Sequence, residues 1–321
     1  MALEALQVVA SRYLGWLSGT LGSKTGGGAL QSPRAVMGYA TGYGAGALEP
    51  FVRSLRHWFD GEIILAVDNR PDVRELLASL DVTMVIPAAS TGWSPHPVVE
   101  RFAAYDAWIG GRPWLKQVLL TDVRDVVFQA DPFAPPADRL EVFIERTGDT
   151  LARHAFNRKH LKAVFGETLS DQILDRPCIC VGTVFGPAQE AARLCRLILM
   201  LAAIPRSGVG GAFGADQAAC NLAVHLGLIE ADIRPNHDRV ATIGEGDGDA
   251  LVWGEDGLVR NPDGSLSPVL HQYDRYPHLA DGVQARWGSP DHSVFKARRK
   301  TLGEQVRKHS ASVERRLPEL R

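Results

Sequence analysis

From Arg34 onward, short apolar runs take turns with amphipathic stretches, at residues 35–41, 48–59, 62–67, 73–80 and 82–87. Nothing else in the chain restricts the fold as much. Strands separated by helix-length segments return to the sheet by a crossover and so run parallel. A strand covered on both faces reads as a continuous apolar run instead of an alternating one. The pattern therefore predicts an α/β fold with a mostly parallel sheet flanked by helices. Such sheets bind ligands beyond the carboxyl ends of their strands, so polar residues directly after a strand-like run are the ones to search.

The rest of the chain extends this reading. A helix over 97–109 leads into an apolar strand over 116–121, strands are expected at 141–145 and 178–185, and helices at 187–204 and 215–226. Asn261-Pro262-Asp263-Gly264 separates two short apolar runs, 258–260 and 268–273, and reads as the turn of a hairpin. Before Arg34, Leu3, Leu6, Val9, Tyr13, Trp16 and Leu17 lie at helical spacing ahead of a glycine-rich tract. Residues 1–33 are thus expected to be a helical appendage and linker, 34–290 the main domain, and 291–321 a helix that is basic on most of its surface.

Charge and cysteine usage narrow the class. Thirty-five Lys and Arg against 37 Asp and Glu leave a net charge of −2, so no general attraction to nucleic acid is expected. Cys178, Cys180, Cys195 and Cys220 form neither a disulfide framework nor paired zinc knuckles, which fits a reducing compartment. The longest apolar stretch, 194–204, is broken by Arg196 and is shorter than the ~20 residues a bilayer span needs. Glu4 stands where a secretory leader carries Lys or Arg. A cytoplasmic protein is expected. The basic residues after 296 could give it peripheral contact with an anionic membrane.

The densest chemistry lies in Val118 to Phe133, VLLTDVRDVVFQADPF, where an apolar strand runs straight into Asp122, Val123, Arg124 and Asp125. Two acids with an Arg between them can hold a hard divalent cation and a diphosphate together; the competing reading is a surface turn in which Arg124 pairs with both acids. His271 ends a late apolar run and could return to the same place as a neutral imidazole ligand. Asp216 and Gln217 open a helix after a glycine-containing tract, where an acid serves equally well as an N-terminal cap. After the first strand, Gly42-Tyr43-Gly44-Ala45-Gly46-Ala47 matches the dinucleotide pattern GxGxxA. Its distal acid, Asp68, follows Gly42 by 26 residues, and Glu49-Pro50 is expected to delay the helix start. The same βαβ unit could hold a nucleoside, with Thr41, Gly42 and Tyr43 against the base and Asp68 near the ribose.

Taken in order, ATGY, FVRSLRHWFDGEIILAVD, VLLTDVRDVVFQADPF, CICVGTVFGP, GADQAACN, VATIG and HQYDRYP resemble the GT-A glycosyltransferases, closest to plant and bacterial nucleotide-diphospho-sugar transferase-like proteins. The resemblance covers about residues 34–279. It implies a GT-A fold and transfer of a sugar from a nucleoside diphosphate, UDP-sugars favoured, to a glycan, lipid or small-molecule acceptor. It also implies Mn²⁺ or Mg²⁺ at Asp122, Asp125 and His271, and donor contacts from Arg101, Asp122, Val123, Arg124, Gly182 and Thr183 besides the first-strand turn. Asp216 and Gln217 match the pair that faces the sugar in retaining relatives, which implies retention. The departure is Arg124, where the family's DxD motif has its second acid; either Asp125 replaces that ligand or Arg124 serves the diphosphate without metal. Two other readings stay open: an NAD-dependent oxidoreductase built on the glycine turn, and a sugar-nucleotide-binding protein without catalysis.

Overall fold

A computed structural model describes residues 2–21, 31–87, 94–203, 213–244 and 248–289, the side chains of 2–10 excepted. The expectations for the glycine-rich tract at 22–28 and for the basic segment after 290 lie outside the described residues. Twelve strands are described. They are β1 (Arg34–Tyr39), β2 (Glu62–Ala66), β3 (Thr83–Val85), β4 (Gln117–Thr121), β5 (Val126–Phe128), β6 (Glu141–Ile144), β7 (Ile179–Pro187), β8 (Asp232–Arg234), β9 (Val240–Thr242), β10 (Val252–Trp253), β11 (Val259–Arg260) and β12 (Val269–His271). The α-helices are α1 (Ala2–Thr20), α2 (Ala45–Trp58), α3 (Pro71–Ser79), α4 (Pro97–Gly110), α5 (Ala155–Phe165), α6 (Glu167–Ser170), α7 (Ala188–Ala202), α8 (Ala215–His225) and α9 (Pro277–Trp287).

The main sheet has seven strands in the order β3-β2-β1-β4-β7-β6-β8. Only β7 runs against its neighbours, β4 and β6; the other pairings are parallel. The fold is therefore α/β with a mixed, mostly parallel sheet, as the alternating pattern implies. In β2, Ile64 and Ala66 join the core that contains Phe102, Tyr105 and Trp108 of α4, whereas Ile63 and Leu65 join the one that contains Phe51 and Leu55 of α2. Both faces are covered, so every position of β2 is buried and the strand carries no polar alternation.

Three expectations are corrected. Tyr13 and Leu17 of α1 are buried in the core, and Tyr13 donates a hydrogen bond to the Leu199 carbonyl at 2.7 Å, so this helix is packed on α7 and is no appendage. Helix α2 starts at Ala45 with Pro50 inside it, so the proline does not delay its start. The expected hairpin does not form, although the turn at 261–264 closes through the Gly264 amide on the Asn261 carbonyl. Instead β11 pairs with β10, and β12 is the middle strand of a second sheet, β5-β12-β9. A turn fixes only its own residues, and longer-range pairing decides where the flanking runs go.

Candidate metal centre and adjoining cavity

The two sheets meet where β4 ends. The Asp122 amide donates to the Gly182 carbonyl of β7 at 2.7 Å, which carries the ladder one residue past β4. In the second sheet His271 of β12 pairs with Val126 of β5, and the Gln272 amide donates to the Asp125 carbonyl at 2.7 Å. These pairings bring together three residues that sequence spacing could only suggest. Ligand atoms of Asp122, Asp125 and His271 all lie within 4.8 Å of one another. His271 is wholly buried, and its Nε2 has no hydrogen-bond partner among the described residues, although Asp122 Oδ2 stands 3.4 Å away. An orphaned buried ring nitrogen is expensive unless something uses it. With two carboxylates beside it, the donor set fits Mn²⁺ or Mg²⁺, and the imidazole tilts the fit toward Mn²⁺. Gly182 leaves the needed room: a Cβ there would lie 2.5 Å from His271 Cε1.

Charge is balanced by a strut beneath this group. Arg101 of α4, with 9% of its side chain exposed, hydrogen-bonds Asp122 through Nη1 and Asp216 through Nη2, the latter at 3.0 Å. Burial pushes the Asp122 carboxyl up, but the Arg101 guanidinium and the His271 ring outweigh it and hold it below the ordinary carboxylate value. Asp125 moves the other way, raised by burial and, among nearby charges, by Asp122 and Asp274. Asp216 is likewise raised by burial in spite of Arg101. Arg124 Nη1 pairs with Asp274 at 2.7 Å, and its Nη2 is 3.8 Å from Asp125. That arrangement differs from the surface turn in which Arg124 would bridge Asp122 and Asp125. Val123 is buried under Gly38, and the buried Thr183 Oγ1 has no partner among the described residues.

The glycine turn sits farther along the same edge of the sheet. Gly42, at φ +88°, donates its amide to Asp68 Oδ2 at 2.7 Å, and the Ala45 amide at the start of α2 donates to Asp72 Oδ2 at 3.1 Å. Carboxylates of the chain therefore occupy amides on which a pyrophosphate would rest. Tyr43 is half-buried against the α2 core, and Thr41 precedes Gly42 at the end of β1.

A cavity of about 410 Å³ opens beside this candidate metal centre. Asp122, Gly182, Asp216, Gln217 and Arg101 border it as the sequence suggests, and so do residues that sequence reading missed, among them Glu145, His154, Phe156 and Phe213. Gln217 is not free to face a substrate with its amide. Its Oε1 accepts from the Val181 amide at 2.9 Å, and its Nε2 donates to the Ile179 carbonyl at 2.7 Å and to Glu145 Oε2 at 3.2 Å. The signal for Glu145 was present in EVFIE, a strand that ends in an acid as VLLTD does.

Glu145, His154 and Cys178 form a second group with metal-ligand spacing. Its centre is already filled. Nδ2 of Asn157 lies 3.0 Å from Glu145 Oε2, 3.1 Å from His154 Nδ1 and 2.7 Å from Cys178 Sγ, so this group is a hydrogen-bonded hub. A larger cavity, about 600 Å³, lies near Arg139, Arg193 and Arg196. Those cations are paired with Glu230, Glu190 and Asp106. Among the described residues no helix is long and apolar enough to cross a membrane. Compared with protein-family models and with curated proteins, the sequence matches none.

Proposed function

We propose that this chain is a GT-A-type glycosyltransferase that moves a sugar from a nucleoside diphosphate, with UDP-sugars favoured, to an acceptor hydroxyl. The observation that carries this reading is the convergence of Asp122, Asp125 and His271 at the carboxyl end of β4, beside a cavity. These three would hold Mn²⁺ or Mg²⁺, and Asp125 takes the place of the second DxD acid. A divalent cation there supplies positive charge to the diphosphate as the sugar leaves.

The remaining work belongs to the protein. Arg101 pairs with both Asp122 and Asp216 and fixes them, and Arg124 is clamped by Asp274 with its Nη2 3.8 Å from Asp125. With its guanidinium so engaged, Arg124 is a weak candidate for serving the diphosphate in place of a metal. The first-strand turn, with Asp68 on the Gly42 amide, offers a rigid wall for the nucleoside. Retention rested on Asp216 and Gln217 facing the sugar; the Gln217 amide is instead engaged by β7 and Glu145. Occupation of the Gly42 amide by Asp68 and of the Ala45 amide, at the start of α2, by Asp72 argues against the NAD-dependent reading.

The test is thermal unfolding of the full chain with Mn²⁺ and UDP, GDP, dTDP or NAD, followed by diphosphate release from the corresponding sugar nucleotides. A nucleoside diphosphate should raise the melting temperature only with metal present. Stabilisation by NAD alone would overturn the reading, and metal-dependent binding without release from any donor would leave a binding protein without catalysis. Co-sedimentation with anionic liposomes at low and high salt tests membrane contact by the basic residues after 296.

A further inference from the structure

We propose that Glu145 is the base that takes the proton of the acceptor hydroxyl, an inference that rests on the glycosyltransferase reading. Glu145 follows β6 by one residue, and its amide donates to the Cys178 carbonyl at 2.8 Å. One oxygen of its carboxylate is pinned. Oε2 accepts from Asn157 Nδ2 at 3.0 Å, Gln217 Nε2 at 3.2 Å and Cys178 Sγ at 3.2 Å. The Gln217 amide is itself fixed by the backbone of β7, and Asn157 Nδ2 also lies against His154 Nδ1 and Cys178 Sγ. The other oxygen, Oε1, meets no donor among the described residues, and the residue borders the cavity. The three donors on Oε2 orient the carboxylate and leave Oε1 as its open acceptor, the geometry a positioned base needs.

Its position relative to the metal centre fits that role. Asp122 bonds to β7 at Gly182 from the β4 side, and Glu145 bonds to the chain entering β7 at Cys178 from the β6 side. Four residues of extended strand separate those anchor points by about 13 Å. Asp122 and Glu145 therefore border the one cavity from opposite flanks of β7. On the Glu145 side the wall continues into Phe156 and Phe213, which are 43% and 53% exposed with ring centroids 5.8 Å apart. Exposed aromatic faces beside a carboxylate suit a sugar ring, with its C–H face on the rings and a hydroxyl on the acid.

In the step itself, the acceptor oxygen forms a bond to C1 of the donor sugar. The bond from C1 to the diphosphate oxygen breaks, and its electron pair leaves with the diphosphate. The hydroxyl proton passes to Glu145 Oε1. Attack from the side opposite the leaving group inverts C1.

The experiment uses the full chain with Mn²⁺ and whichever of the UDP-, GDP- and dTDP-sugars releases diphosphate fastest. Glu145→Gln keeps the size and an acceptor for Asn157 and Gln217, so its kcat should fall by ~10²- to 10⁴-fold while donor KM stays close to wild type. NMR of the product should show inversion at C1. In Glu145→Ala, sodium formate should restore part of the rate by filling the space with a carboxylate, a readout that a loss of folding would not produce. Wild-type kcat in Glu145→Gln, retention at C1, or no rescue by formate would each overturn the assignment while the transferase reading stands. Absence of diphosphate release by the wild-type chain from any donor would overturn both.

Discussion

A methyl group on Gly182 would lie 2.5 Å from Cε1 of His271 and 2.8 Å from Oδ2 of Asp122. β7 thus passes beside His271 and Asp122 at a position that has no room for a side chain. Gly182→Ala must move the buried imidazole or a carboxylate already fixed by Arg101. Overpacking of this kind costs ~1–3 kcal/mol. Mn²⁺ affinity, read by titration calorimetry, should fall roughly 5- to 100-fold with the sheet intact by circular dichroism (about 1.4 kcal/mol per tenfold).

Arg101, expected from the family resemblance to contact the donor, is engaged by Asp122 and Asp216. Replacing it with Met leaves the buried Asp216 and the partly exposed Asp122 without their cation. Urea unfolding should show a loss of ~3–5 kcal/mol. A variant as stable as wild type but weaker in donor binding would return Arg101 to the donor.

Asp122→Asn should abolish Mn²⁺ binding. A strand-end acid ordinarily contributes little to folding, but this one shares the buried guanidinium with Asp216. The melting temperature should therefore fall as well, by less than in Arg101→Met because Asp216 still pairs with the cation. Differential scanning calorimetry of the two variants side by side checks the order.

Phe156→Ala and Phe213→Ala remove aromatic faces from the cavity wall without touching Asp122, Asp125 or His271. Acceptor KM should rise roughly 3- to 10-fold, in line with ~0.5–1.5 kcal/mol for an aromatic contact, with kcat nearly unchanged. Initial rates over a range of acceptor concentrations separate the two constants.

Asp72 is held at about 2, below the usual 3.8, by its hydrogen bonds with Arg70 and the Ala45 amide. A carboxyl lowered in the folded state contributes stability that is complete above about pH 4 and is lost as pH falls toward 2. Asp72→Asn should therefore be less stable than wild type at neutral pH. The difference should close between pH 4 and pH 2 in thermal melts.

The sheet was legible because burial on both faces writes itself into β1, β2 and β4 as uninterrupted apolar runs. The acids after β4 were legible for the same reason, since charge directly after such a run stands out. Glu145 ends a strand in the same way, but its weight comes from Asn157 and Gln217, partners set by tertiary packing that no spacing encodes. The partners of Gln217 were hidden on the same ground: a helix-start residue beside an acid gives no sign that its amide will be taken up by the backbone of β7. The pairing of β12 was equally hidden, because a three-residue strand carries too little pattern to name its neighbours.

His271 comes from the middle strand of the small sheet, between β5 and β9, and among the described residues little more than α9 follows it in the chain. As the chain leaves the ribosome, the turn with Asp122 and Asp125 emerges long before the imidazole that completes the ligand set. A nascent chain can build β1 to β4 and still bind no cation tightly through this set. Cation binding by this candidate set would then report that β12, the last strand among the described residues, has docked against β5 and β9.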